Sequence, residues 1–353
     1  MVDRNVKSAT LAGVVLVLTY DDVVQCITMA DAIAAIEAMC HEQASGQALH
    51  ADRVNLRLPN GWMRLMPGAL ISSGVFGYKE LHLTHVTGSQ PPAAEVRYAF
   101  HLFDYQTGVP LAMMDANFMT AIRTGATSGV AMKYMSRPDA AVLGVIGTGS
   151  EARSHVQAAA TVRNIRKAVV FSRSPERREQ FAREMEKLVG IEVRPAGRAE
   201  DTIKDADILL VGTNTSGVGP ALLGEQLAPR ARQGLHINSV GSTLPTQREL
   251  DPAVWAFADR VIVDSRRLLT ESGDGIAATQ AGTIKEDRIS ELYEVVAGRV
   301  PGRAHPLEST LYKSIGAGLQ DVAVASCIYR QAVAKRLGRP MEPCQLAKVV
   351  EPN

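Results

Sequence analysis

The sequence predicts an α/β protein in which a doubly wound parallel sheet spanning residues 128–315 interrupts a smaller α+β domain formed by residues 1–127 and 316–353. Three observations carry this. Ala141-Val-Leu-Gly-Val-Ile-Gly147-Thr-Gly149-Ser-Glu-Ala152 breaks from an apolar run into a glycine turn and then into helix formers, the pattern of a strand-turn-helix unit that cradles a dinucleotide. After Gly147, strand and helix patterns alternate at the spacing of a parallel sheet. Before residue 130 the texture changes to alternating strands separated by loops rich in Gly and Pro.

Taken in order, Val14–Thr19 reads as a strand and Thr28-Met-Ala-Asp31 as the capped start of a helix with Met29, Ile33, Ile36 and Cys40 on one face. Arg53–Leu58 and Arg97–Phe103 alternate as strands do. Beyond the glycine turn come a helix from about Glu151, a strand Lys167–Ser172, a helix Pro175–Leu188, a strand Ile191–Pro195 and a short helix near Ala199. Strands Asp207–Val211, Leu235–Val240 and Arg260–Asp264 follow, with a helix Arg248–Phe257 before the last. A long helical pattern, Ser314–Arg336, is placed to return to the first domain and close a discontinuous unit.

Composition narrows the function. With 46% hydrophobic and 21% charged residues in 353, the chain has the makeup of a soluble globular enzyme. A net charge of +1 and 5% aromatics provide neither a phosphate-tracking patch nor a stacking platform, so nucleic-acid binding is not expected. Apolar runs such as Leu11–Leu18 fall far short of the ~20 residues that cross a bilayer, and Asp21 and Asp22 follow that run with no cleavage site, so neither a membrane span nor a signal peptide is expected. Cys26, Cys40, Cys327 and Cys344 form no C-x-x-C pair, and His82 and His85 are the closest histidines, so the expectation is no metal and a reducing cytoplasm.

Within the turn, Gly147 permits the tight bend, Gly149 lets backbone approach a pyrophosphate, and Ala152 lets the helix pack closely on the strand. The second strand ends at Phe171 and runs into Ser172, Arg173 and Ser174, with Arg177 nearby, where an acid would select NAD(H). Donors and positive charge at this point favour NADP(H), with NAD(H) possible. The plainer alternative makes Arg173 and Arg177 solvated charges on a helix that buries Phe181, Met185 and Leu188. Three further cations, Arg53, Lys79 and Arg123, lie among small and apolar neighbours. Each alone reads as a snorkelling surface charge; together they describe a carboxylate clamp and an acid or base of lowered pKa.

Arg64-Leu-Met-Pro67, Gly77-Tyr-Lys79, Asp115–Ala126, Val145–Gly149, Asn238–Asp251 and Ser314-Ile-Gly-Ala-Gly-Leu-Gln-Asp321 occur in an order, over nearly the whole chain, that resembles the ornithine cyclodeaminase/μ-crystallin family. The resemblance implies a homodimer whose α+β domain carries the substrate pocket and dimer contact, with a Rossmann domain inserted. It implies that Arg53 and Arg123 clamp a substrate carboxylate and that Lys79 faces the reacting carbon–nitrogen centre. Thr124, Gly147, Thr148, Gly149 and Ser150 would line the cofactor phosphates, Thr213 would join the cofactor set, and Ser239, Val240, Ser242 and Gly316 would lie near the nicotinamide. Cyclodeaminases carry an aspartate where this chain has Ser242. That difference points to the ketimine reductase branch: an NAD(P)H-dependent oxidoreductase acting on the C=N or CH–NH2 centre of a 2-imino acid or L-amino acid. An NAD+-dependent cyclodeaminase and a non-catalytic NADPH-binding protein are the alternatives.

Overall fold

The computed structural model describes residues 14–88, 94–213, 215 and 218–342. Most of residues 87–93 lie outside them, as do Cys344 and the start of the Leu11–Leu18 run.

Two eight-stranded sheets organise the chain. The first begins with β1 (Val15–Leu18), after which helices α1 (Tyr20–Cys26) and α2 (Met29–Ala44) intervene. Both open on capping boxes, Thr19 with Asp22 and Thr28 with Asp31, which satisfy the first free N–H groups reciprocally. The strands β2 (Ala48–His50), β3 (Val54–Leu58), β4 (Gly61–Leu70), β5 (Val75–His85), β6 (Ala94–Asp104) and β7 (Pro110–Asp115) complete a largely antiparallel sheet, in which β1 lies parallel to β7. The register places Met66 opposite Lys79 and Lys79 opposite Phe100, and Arg64 opposite Leu81 and Leu81 opposite Tyr98. Because side chains alternate along a strand, these six residues share one face.

Helix α3 (Asn117–Met135) leads out of this sheet and runs straight through residues 127 and 128. The second sheet follows: β8 (Val142–Ile146), α4 (Ser150–Val162), β9 (Lys167–Phe171), α5 (Pro175–Val189), β10 (Glu192–Pro195), the short α6 (Glu200–Ile203), β11 (Ile208–Val211), α7 (Gly224–Leu227), β12 (His236–Ser239), α8 (Pro252–Phe257) and β13 (Arg260–Val263). Helices α9 (Leu268–Glu271) and α10 (Gly273–Gln280), β14 (Ile289–Glu291), α11 (Leu292–Val296), β15 (Thr310–Lys313) and α12 (Gly318–Lys335) complete it before β16 (Arg339–Met341) pairs back onto β1. The order β10-β9-β8-β11-β12-β15-β13-β14, parallel throughout, is the six-stranded doubly wound arrangement with two strands added, β15 within it and β14 at its edge.

The insertion of β15 is the main departure from the expected elements. β15 inserts between β12 and β13, and the helix expected from Ser314 starts only at Gly318. Ser314–Ala317 stays non-helical because Asp264 gathers the Ser314 hydroxyl and the Ile315 and Gly316 N–H groups. The helix expected from Arg248 likewise starts at Pro252, capped by the Asp251 carboxylate, because the residues before it are drawn into a buried polar cluster. Among the described residues no single helix is long and apolar enough to cross a membrane. Helix α12 packs across β4, β5 and β6, covering the face that carries Lys79.

Candidate active site

Three elements converge on one buried ionic cluster. Lys79 projects inward from β5, Arg123 from the second turn of α3, and Asp321 from the first turn of α12. Asp321 Oδ1 lies 3.0 Å from Lys79 Nζ and 2.9 Å from Arg123 Nε. All three are buried. One carboxylate shared by two cations leaves a surplus positive charge within the trio, with Glu151 the further acid that acts on both cations, and a charge held away from water needs a counter-ion. Burial, with the neighbouring Arg123 adding to it, pulls the Lys79 ammonium down to about 8, against the pull of Asp321. The Tyr98 ring lies 5.8 Å from the same nitrogen.

Arg53 enters from the start of β3. Its guanidinium donates to the carbonyls of Ile315 and Gly316 and pairs with Glu271 at 3.1 Å. Arg123 donates to Gln320 Oε1 at 2.7 Å. The two expected clamp arginines therefore flank the Ser314–Ala317 segment, each already holding protein partners. Gly316 has φ +82°, and a Cβ there would stand 2.7 Å from Arg123 Nη1, so only glycine leaves room for the guanidinium.

Glu151, two residues beyond Gly149, belongs to the same region. Its Oε2 is buried and accepts no hydrogen bond among the described residues, and burial raises the carboxyl to about 7 against the pull of Arg123 and Lys79.

The glycine turn opens into a cleft of about 560 Å3, lined among others by Gly147, Thr148, Gly149, Ser172, Arg173, Arg177 and Thr213. Gly147 has φ +117° and a Cβ would collide with the Gly212 carbonyl, whereas the position above Gly149 is open space. Helix α4 starts at Ser150 with no side-chain cap, so its first N–H groups are free for an anion. Arg173 and Arg177 are exposed, with no ion-pair partner among the described residues. This donor set fits a dinucleotide, whose pyrophosphate Gly149 and Ser150 would hold and whose adenosine ribose Ser172 would meet. Thr124, on α3, bonds back to the Thr120 carbonyl at 2.7 Å and does not line this cleft.

Thr213, Ser239 and Val240 gather on an acid that sequence reasoning overlooked. Glu249, fully buried, accepts from Thr213 N–H and Oγ1, from Ser239 Oγ at 2.7 Å, and from the N–H groups of Val240 and Gly241 at 3.1 and 2.6 Å. Lys313, also fully buried, stands 3.3 Å from Asp274 and 3.8 Å from Glu249. Ser239 and Thr213 thus set the backbone of a loop. Ser242 is sealed in too, donating to the Gln247 carbonyl at 2.6 Å and meeting Ser272 at 3.0 Å, so its hydroxyl is engaged within the protein. Asp321, Glu271 and Glu151 were likewise not singled out, although Asp321 ends the Ser314–Asp321 segment and Glu151 follows the glycine turn.

Comparison with known proteins finds similar chains along most of the sequence. A Δ1-pyrroline-2-carboxylate reductase of Bacillus cereus is 35% identical over 243 residues, 68% of this chain and 73% of its own. The solved Δ1-pyrroline-2-carboxylate reductase of Thermococcus litoralis, in complex with NADH and L-proline, is 36% identical with a TM-score of 0.85, covering 92% of this chain and 99% of that one. An archaeal alanine dehydrogenase dimer with bound NAD superposes with a TM-score of 0.84 at 30% identity, covering 93% and 99%. The model of the ornithine cyclodeaminase/mu-crystallin family matches residues 14–336, and this chain belongs to that family.

Proposed function

We propose that this protein is an NAD(P)H-dependent reductase of small 2-imino acids, which in reverse oxidises the corresponding L-amino acids. The observation that carries the reading is the buried Lys79–Asp321–Arg123 cluster beside the glycine turn. Its surplus positive charge draws the substrate carboxylate towards Arg123 and Arg53, which orients the neighbouring C=N carbon, and orientation alone supplies much of the rate in such reactions. A nicotinamide cofactor, when bound, supplies hydride to that carbon. Lys79, with its proton held at about 8, sits where the nitrogen's proton is given or taken, an acid–base group matched to neutral pH. Burial under α12 keeps water from competing.

Arg173 and Arg177 support NADPH over NADH, since two unpaired guanidinium groups at the strand end match a 2′-phosphate. The buried, internally bonded Ser242 supports a reductase over a cyclodeaminase, because it supplies no anionic base. A homodimer is supported by the opposite face of the first sheet, where Leu49, Val54, Leu56, Leu58 and Met113 are exposed, an apolar area suited to a second copy. Unpaired thiols at Cys26, Cys40 and Cys327 fit the cytoplasm.

The test is NAD(P)H oxidation with cyclic 2-imino acids and with 2-oxo acids plus ammonia. Turnover supports an enzyme; tight cofactor binding with no turnover on any substrate would leave only a binding protein.

A further inference from the structure

Arg64 stands on the same sheet face as Lys79, one step further from the core, and differs from the other cations of the site. Lys79 and Arg123 share Asp321, and Arg53 holds Glu271. Arg64 forms no salt bridge among the described residues, although Glu271, paired with Arg53, is near enough to act on its charge. Its Nε donates to Asn55 Oδ1 at 2.8 Å, its guanidinium lies 5.0 Å over the Trp62 ring, and its two terminal nitrogens donate to no described residue. The side chain is half-buried, and burial together with the charge of Arg53 lowers it to about 10. A guanidinium that is oriented, part-desolvated and left with an open fork is set up for a bidentate carboxylate.

The register fixes where that carboxylate would sit. Arg64 pairs with Leu81, two residues from Lys79 on the adjacent strand, with Tyr98 beside them on β6. Diagonal neighbours of this kind are roughly 7–8 Å apart, a gap that two long cationic side chains close from either side. Arg53 and Arg123 lie towards Gly316, and Arg64, on the same sheet face as Lys79, stands close enough to Arg53, Glu271 and Tyr98 to feel their charges. A molecule held by its α-carboxylate on the first pair and by its imine nitrogen near Lys79 would extend its side chain towards Arg64.

Building on the reductase reading above, we propose that Arg64 binds a second carboxylate on the substrate, so that the preferred substrates are 2-imino dicarboxylic acids with one or two methylenes between the imine carbon and the distal carboxylate. Asn55 and Trp62 are the positioning residues that hold the fork in plane.

Purified wild-type, Arg64→Met and Arg64→Lys proteins are assayed for NAD(P)H oxidation with oxaloacetate or 2-oxoglutarate plus ammonia, and with pyruvate plus ammonia or Δ1-pyrroline-2-carboxylate. The wild type is expected to favour the dicarboxylates at least tenfold in kcat/KM. Loss of a charge-assisted pair in Arg64→Met should cost roughly 100-fold on the dicarboxylates, mostly through KM, with the monocarboxylates changed by no more than about threefold. Arg64→Lys should recover part of the loss. Retained monocarboxylate activity also shows that the variant is folded. A wild type that prefers monocarboxylates, or an Arg64→Met protein that loses both classes equally, would overturn the assignment while leaving the reductase intact. Absence of turnover on every substrate would instead sink the reductase reading, and this assignment with it.

Discussion

Asp321 Oδ1 accepts the Lys79 ammonium at 3.0 Å and faces Arg123 Nε at 2.9 Å, so a single buried carboxylate on α12 ties the inward face of β5 to α3. The site is therefore assembled from both ends of the chain. A carboxylate in this position both neutralises and orients the two cations.

Replacing Asp321 with Asn tests that role. Removing one partner from a buried ion pair leaves uncompensated charge and typically destabilises by about 3–5 kcal/mol, which denaturant unfolding would read. Because Asp321 opposes the lowering of the Lys79 pKa, the lysine limb of the pH–rate profile should also move to lower pH. An unchanged profile would place Asp321 outside the proton chemistry.

The pH dependence should have opposite signs in the two directions. Lys79 is held down to about 8: below that value it carries the proton that reduction consumes, and above it the free amine that amino-acid oxidation requires. Reduction is expected to fall and oxidation to rise as pH passes through about 8, with the same apparent value in both. Parallel profiles in the two directions would point to a different group.

An Arg173 variant tests the proposed preference for NADPH. Arg173→Ala should weaken NADPH by roughly 10- to 100-fold, the scale of one charge-assisted contact, and leave NADH almost unaffected. Fluorescence titration of both cofactors reads this directly. Equal affinities in the unaltered protein would remove the basis for an NADPH preference.

Much of this organisation is legible in the sequence, for reasons that differ by element. The parallel sheet announces itself because its buried strands are short continuous apolar runs between turn signals; in β11, Ile208–Val211 is buried throughout. Strands β4 and β5 are hidden by Pro67, Gly68 and Gly77, which interrupt the alternation that marks a strand. β15 gives little signal, since Thr310–Lys313 is four residues long and carries a lysine, Lys313, whose burial depends on Asp274 and Glu249. Lys79, Arg53 and Arg123 stand out as cations among apolar neighbours. Their partners Asp321 and Glu271 do not, because an acid in the first turn of a helix is also what an exposed helix start carries, and only tertiary packing separates the two. Ser239 is legible as a position but not as a role: its hydroxyl supports Glu249 beneath the loop.

The most direct test of the central claim is steady-state reduction of the best imine substrate by Lys79→Ala, measured beside NAD(P)H affinity. The buried cluster implies that kcat falls by roughly 100-fold or more, the usual scale of acid–base assistance, while cofactor binding stays within about twofold. A Lys79→Ala protein with near-normal kcat would contradict the account and leave Lys79 as a structural cation.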